Sequence, residues 1–307
     1  VRSRGGELKD LAQFEALEQR RSRSQRPSVA AQKRGPRGVD CSAMAATKLS
    51  MPDGAVETLD DKLGFVALVD RMQQDPALKV VNAARISYDK HKSKLDENDR
   101  KLASFLWAHG HTSPYRHSYY TFHWKAPLFV FRQAFKYQIG SGWREYEVNG
   151  ESVSLEVFDT FFDTDKGCSW NEISGRYVQW APEFYVPQVM RANPPHGNKQ
   201  ASVDLPPDFD HAGERGSMHA ECERTFELYQ ERIQRGVAKE IARMLLPQNL
   251  YSQAYWTVSL QGVIHFLQQR LEADAQFEIR RYADAVFRLV EADLARVGVT
   301  RESLHSA

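Results

Sequence analysis

Ser169-Trp170-Asn171-Glu172-Ile173-Ser174-Gly175-Arg176-Tyr177 gathers hydroxyls, an amide, a carboxylate, a guanidinium and a glycine into one short stretch. Glu172 can accept hydrogen bonds, as from a pyrimidine N–H or a ribose hydroxyl. Ser174, the backbone N–H of Gly175 and Arg176 can surround an anion such as phosphate. A glycine at that point lets backbone approach a ligand closely. Taken alone, the stretch has two readings: a pocket for an anionic nucleotide, or a polar turn with a capping serine.

Working outward, other cations and amides sit inside apolar segments. Pro127 suits the first turn of a helix, where a missing N–H costs least, and that helix is expected to run to about Tyr137. On it Gln133 and Lys136 share a face, among Phe129, Val130, Phe131 and Phe135. Such groups need partners, because an unpaired buried charge is expensive. A structural ion pair with a snorkelling lysine satisfies that need as well as a ligand does. Arg243 lies near the end of a long helical pattern, where a cation is favourable in its own right. Arg270 follows the apolar run Val263, Ile264, Phe266 and Leu267, and either solvent or a ligand would satisfy it. Together the cations suggest an anionic ligand.

The chain has 307 residues, 42% of them hydrophobic, and a formal net charge of +1. It can bury a sizeable core, and its overall charge gives no strong pull toward nucleic acid or anionic membrane. Cys41, Cys168 and Cys222 have neither metal-ligand spacing nor a disulfide framework. They read as free thiols in a reducing cytoplasm. His109, His111 and His117 lie close together without a completing ligand, so no metal site is expected. No apolar run approaches the ~20 residues of a membrane span, and no secretory signal opens the chain. A cytoplasmic protein is expected, with neither a membrane nor a nucleic-acid partner.

Residues 1–45 are basic and poor in large apolar groups, as in Arg20-Arg21-Ser22-Arg23. They predict a mobile tail, with a short helix over Leu8 to Leu17. A phosphate-rich partner or plain solvation would both suit such a tail. Residues 46–307 read as one catalytic domain. Within it, Leu59 to Met72 has helical spacing, with Leu63, Val66 and Val69 near one face. Asn98 to His109 reads as a helix capped by Asn98, with Leu102, Phe105 and Leu106 inward. Tyr119 to Trp124 and Tyr251 to Val258 read as strands. Helices are expected over Ala212 to Leu245, Gln261 to Leu271 and Asp274 to Val297. Between Gly140 and Gly167 no period is clear, and Val153 to Phe162 suits a hairpin or lid. Helices dominate with a few strands between them, which predicts α+β rather than a parallel βαβ array.

The Ser169 to Tyr177 stretch also resembles the signature of the flavin-dependent thymidylate synthases, the ThyX family. That family reads Arg-His-Arg, seven further residues and Ser, overlapping Ser-x-Asn-Glu-x-Ser-Gly-Arg-Tyr. The likeness extends in order from about Val80 to Val286. It takes in Ala83-Ala84-Arg85-Ile86-Ser87-Tyr88, His111-Thr112-Ser113-Pro114 and Phe122-His123-Trp124-Lys125-Ala126-Pro127. It continues through Arg132-Gln133, Arg243, Leu246-Pro247, Tyr251, Trp256-Thr257 and Ala275-Gln276-x-Glu278-Ile279-Arg280. The resemblance implies a mixed twisted sheet with packed helices, in a homotetramer whose active sites form between subunits. It implies FAD, reduced by NADPH, with methylenetetrahydrofolate as one-carbon donor and no cysteine nucleophile. It places the nucleotide on Gln133, Lys136, Glu172, Ser174, Gly175, Arg176, Arg243 and Arg270, with Arg270 polarising the uracil ring as the catalytic residue. The flavin would meet Ser87, His111, Ser113, Lys136, Tyr137, Gln138, Ile139, Ser259 and His265.

The chain departs from the family's pattern at specific places. Arg-His-Arg becomes Lys136-Tyr137-Gln138, which loses the planar guanidinium forks. About 28 extra residues, 140–167, separate this trio from Ser169. Arg116 stands where the family often has an acid. Ser259, Gln261 and His265 stand for Asn, Arg and Asn, and Asp274 for a common His. Most of these changes fall on the flavin side. Similar divergence marks the UMP C5-methylases of polyoxin-type nucleoside-antibiotic pathways. Three functions therefore compete: reductive C5-methylation of a uracil nucleotide with UMP favoured, ordinary dUMP-to-dTMP synthesis, and nucleotide or flavin binding without turnover.

Overall fold

The computed structural model describes residues 50–72, 75–136, 143–148, 151–156, 168–194 and 202–305. All belong to the unit Met44–Ala307. The tail and its helix over Leu8 to Leu17 lie outside the described residues, as do Tyr137, Gln138 and Ile139.

A five-stranded sheet carries the fold, in the order β1 (Val56–Glu57), β2 (Phe65–Arg71), β3 (Tyr119–Pro127), β9 (Tyr251–Ser259), β6 (Cys168–Glu172). Every pairing in it is antiparallel. The α+β class stands, whereas the mixed sheet expected from the resemblance is corrected. Two helices, α1 (Pro76–Arg85) and α2 (Glu97–Ala108), lie between β2 and β3. A paired out-and-back connection returns the chain to the end it left, which sets neighbouring strands antiparallel.

The central pair β3 and β9 runs in register from Tyr119 opposite Ser259 to Pro127 opposite Tyr251. Both strands carry buried aromatic residues, and α7 (Phe277–Arg296) packs on β3 through Tyr282. Tyr282 on α7 stacks on Trp124 with ring centroids 5.3 Å apart, and its hydroxyl donates to the Lys125 carbonyl at 2.7 Å. Lys125 is itself buried and pairs with Glu183 at 2.9 Å, so the charge that enters the core is answered. A second apolar cluster, including Trp180, Phe226, Tyr229 and Leu246, lies under α4 (His211–Gln234).

Several expectations need correction. Leu59 to Met72 is not a helix. Its apolar residues Phe65 to Leu68 form one strand pairing with β3, and the long-range pairing outweighs a short coincidence of helical spacing. Asp96, rather than Asn98, caps α2, through a capping box with Asp99. Phe105 faces outward, 51% exposed, while Asp99 and Ala103 are the buried positions of that helix. The helix after Pro127 is short: α3 spans Leu128–Ala134, and Phe135 closes it. The hairpin lies earlier than expected, as β4 (Trp143–Val148) and β5 (Glu151–Glu156), with residues 157–167 outside the described part. The long helix breaks after Gln234 because Gly236 adopts φ +84, a left-handed conformation. α5 (Lys239–Ala242) and a 3-10 turn, Arg243–Leu245, follow the break. α1 was not expected at all, and a two-stranded ribbon pairs β7 (Arg191–Ala192) with β8 (Val203–Asp204). The strands β3 and β9 and the helices α6 (Leu260–Arg270) and α7 fall where the sequence put them, within a few residues. A four-residue helix, α8 (Arg301–Leu304), ends the described chain. Among the described residues, no helix is long and apolar enough to cross a membrane.

Candidate nucleotide and flavin site

Part of the signature stretch is a strand. Ser169 to Glu172 form most of β6, the edge strand against β9, and only Ile173 onward turns. Trp170 and Glu172, two residues apart, lie on one face of this strand, and position along it divides their roles. Trp170 points inward and stacks on Trp256, with centroids 5.1 Å apart and planes at 10°. It also meets Phe135 edge-on at 4.9 Å. This aromatic contact joins the signature strand to the end of α3, where Gln133 and Lys136 lie.

Glu172 leaves the strand beside Ser252 of β9, whose hydroxyl donates to its Oε1 at 2.6 Å. Glu172 keeps contact with solvent, yet the protein packed around its carboxyl dehydrates it and raises its pKa. The Ser252 hydroxyl and the Arg243 charge work against that rise. Past the strand, the Ser174 hydroxyl accepts from the Arg176 N–H at 3.3 Å, and the Tyr177 N–H donates to the Ser174 carbonyl at 3.0 Å. Gly175 is buried at this turn. A Cβ there would lie 2.3 Å from the Trp180 indole nitrogen and 3.2 Å from Cδ of Arg243. The glycine is thus required by close approach, and Arg243 reaches the turn from its 3-10 turn across the second apolar cluster. The ion pairs among the described residues engage neither Arg176 nor Arg243. Arg243 acts on the Glu172 carboxylate, and Arg176 follows the Ser174 hydroxyl on the same turn, a set of groups suited to a phosphate plus a neutral or weakly acidic partner group.

The remaining candidates lie elsewhere on the chain. Gln133 is half-buried and donates through Nε2 to Gln276 Oε1 at 2.6 Å. Lys136 is exposed just beyond α3. Arg270 ends α6, half-buried; burial lowers its pKa and nearby Asp274 opposes that. The loop after Arg270 returns to Gln133 through Gln276. The signature and the α3 end are thus joined by direct ring contact, and the α6 end reaches them through that loop.

On the flavin side, Ser87 is exposed in the 3-10 turn Ile86–Tyr88, directly after α1. His111 and Ser113 are exposed at the turn Ser113–His117, which packs against α1 and α6. His265, on α6, is partly dehydrated, and its pKa is lowered as a result. Ser259 is 1% exposed and caps α6, its hydroxyl accepting from the Gly262 N–H at 3.2 Å. Two departures from the family's pattern meet here: Arg116 Nε donates to Gln261 Oε1 at 2.7 Å, and Gln261 Nε2 donates to Thr112 Oγ1 at 2.9 Å.

Residues outside the sequence-based set also bear on the site. Ser252 and Trp180 touch Glu172 and Gly175, and nothing in their local sequence marks them. Gln276 and Glu278 belong to the C-terminal resemblance without having been assigned a role. They help wall a cleft of about 550 Å³ with Phe129, Tyr185 and Arg191, and the signature residues are not among its walls. Cys222, also on that cleft, is a buried free thiol that shares a hydrogen bond with Asn249. Among the described residues, no group of His, Cys, Asp and Glu could hold a metal ion.

Comparison with known proteins adds a separate line. The model of the thymidylate synthase complementing protein family matches residues 67–294. A flavin-dependent thymidylate synthase of Thermosipho africanus is 36% identical over 220 residues, 72% of this chain and 82% of the relative. One from Thermus thermophilus is 37% identical over 228 residues, 74% of this chain and 72% of the relative. Among solved structures, the UMP/dUMP methylase PolB from Streptomyces cacaoi, bound with 5-Br dUMP, superposes with a TM-score of 0.60. It is 28% identical and covers 79% of this chain and 95% of its own. With the family model matched from β2 to α7 and these relatives aligned along most of their own length, the chain belongs, as a divergent member, to the thymidylate synthase complementing protein family, that of the flavin-dependent thymidylate synthases.

Proposed function

We propose that this methyltransferase carries out reductive C5-methylation of a uracil nucleotide, with UMP favoured over dUMP. FAD is the cofactor, NADPH the reductant and methylenetetrahydrofolate the one-carbon donor. The observation that carries the reading is the signature turn: Glu172 on Ser252 with the Arg243 charge near it, Gly175 closed against Trp180, and Arg176 and Arg243 outside the ion pairs of the described residues. That donor set fits a nucleotide monophosphate. Arg176, Arg243, Ser174 and the Gly175 N–H would hold phosphate, Glu172 would accept from a sugar hydroxyl or ring N–H, and Gln133 and Lys136 would reach the base.

Arg270 would polarise the uracil ring, placing positive charge where negative charge develops as C5 attacks. Partial burial suits this, since charge acts more strongly where water is scarce. The exposed hydroxyl and imidazole groups of Ser87, His111 and Ser113 fit the hydrogen-bonding edge of a flavin, with His265 beside them on α6. Tyr137, Gln138, Ile139 and Ser259 complete the proposed flavin set, Ser259 through the helix start it caps. When bound, the reduced flavin supplies the hydride that turns the transferred one-carbon unit into a methyl group. Around the turn, Ile173, Tyr177, Ile241, Met244 and Leu245 are exposed. Such an apolar rim supports a site completed by a neighbouring subunit of a homotetramer.

PolB is a UMP/dUMP methylase, and the likeness supports methylation of a uracil nucleotide in which the ribonucleotide is a candidate substrate beside dUMP. The test is a paired assay. UMP or dUMP is incubated with enzyme, FAD, NADPH and methylenetetrahydrofolate, and the C5-methylated nucleotide is measured. Faster turnover of UMP is expected; preference for dUMP would sink the UMP reading, and methylation of neither would leave a binding protein.

A further inference from the structure

Glu278 is 2% exposed, and both oxygens of its carboxylate are engaged. Oε1 pairs with Arg191 and accepts from the Tyr185 hydroxyl at 3.3 Å. Oε2 accepts from Gln276 Nε2 at 2.9 Å. Gln276 Oε1 in turn accepts from Gln133 Nε2 at 2.6 Å. The chain of contacts has one consistent polarity. An ion-paired carboxylate only accepts, so Gln276 must turn its amino group to Glu278 and its carbonyl to Gln133. Gln133 must then give its amino group to Gln276. Reversing either amide would set two oxygens against each other at hydrogen-bond distance.

We infer that Glu278 and Gln276 are positioning residues that fix which end of the Gln133 amide faces the base, and so make the site selective for uracil over cytosine. This rests on the uracil-nucleotide reading of the site. The end of Gln133 turned away from Gln276 is its carbonyl oxygen, an acceptor. Uracil offers one ring donor, N3–H, to meet it. Cytosine presents an unprotonated N3 lone pair at the same place, and binding it would need the amide reversed. A glutamine free to rotate would serve either base; one tied through Gln276 to a buried ion pair serves one. Arg191 also lies 4.8 Å over the Phe277 ring, which holds the anchor in place.

The test is equilibrium binding of UMP and of CMP to the full-length, FAD-loaded protein, as wild type and as Gln276→Leu. Gln276 is exposed, so the leucine variant is expected to fold, and thermal midpoint and flavin content check that it has. The wild type is expected to favour UMP. In Gln276→Leu the UMP-to-CMP affinity ratio should fall by about tenfold or more, the scale of one lost or mismatched buried hydrogen bond. An unchanged ratio overturns the relay and leaves the uracil-nucleotide site standing. A wild type that binds neither nucleotide overturns both. Should the leucine variant fail to fold, Glu278→Gln replaces it, because an amide at 278 can donate and lets Gln276 turn round; the same narrowing is expected, and a retained ratio refutes the relay.

Discussion

Gly175 shows most directly how one residue's size governs the site. Its missing Cβ is the space filled by the Trp180 ring edge and the Arg243 stem. Gly175→Ala is expected to push both away, costing about 1–3 kcal/mol as an overpacked position and lowering nucleotide affinity by more than it lowers flavin affinity. Thermal unfolding and separate UMP and FAD titrations would show the split. Arg176 is exposed on the same turn, against the Tyr177 ring. Arg176→Ala should therefore abolish nucleotide binding while FAD uptake and folding stay as in the wild type; equal loss of both would move Arg176 out of the phosphate site. Glu172 carries a pH signature. Its pKa is raised in the fold, chiefly by dehydration. A raised pKa means the folded state holds the proton to higher pH than the unfolded chain does. The associated stability is full below the ordinary glutamate value of 4.5 and is lost as pH rises through the folded value. Glu172→Gln is thus expected to gain stability over wild type as pH climbs past that window, while losing nucleotide affinity.

At the scale of elements, the decisive contact is aromatic. Trp170 ties β6 to β9 through Trp256 and to α3 through Phe135. Trp170→Ala should cost about 3 kcal/mol of stability by loss of a large packed ring. It should also weaken nucleotide binding, because α3 and the signature strand lose their common support; urea unfolding and a UMP titration measure the two effects. The same element explains what the sequence could reveal. The nature of the signature was legible in its residue types, but its strand character was not, since the partner strand β9 lies far along the chain. β3, β9, α6 and α7 were legible because each carries a sustained local pattern. Leu59 to Met72 misled for the opposite reason: Leu63, Val66 and Val69 happen to be three apart, although Val66 and Val69 belong to a strand and Leu63 precedes it. Ser252 and Trp180 were invisible because their roles are set by pairing register and by the close approach at Gly175.

At the scale of the whole molecule, the candidate residues divide between the signature turn, the α3 end, the α6 end and the exposed turns after α1 and α2. A second subunit is expected to complete the set. Met244, 72% exposed beside Arg243, is a suitable probe. Met244→Glu should yield a folded, smaller species with little turnover, seen by sedimentation and circular dichroism. Full turnover by a dissociated species would exclude a shared site. Deletion of the residues before about Ala45 is expected to leave turnover unchanged, which the same methylation assay would check.

The position of β6 at the rim of the sheet has a kinetic side. β6 pairs with β9 alone, whereas β3 is paired on both sides, and a strand held on one side opens more readily. A nucleotide gripped by Glu172, Ser174 and Arg176 would bind only while that strand is docked, so substrate would act as a latch on the rim. Amide hydrogen exchange at Ser169 to Glu172 should slow sharply on nucleotide addition, while the amides of β3 stay unchanged.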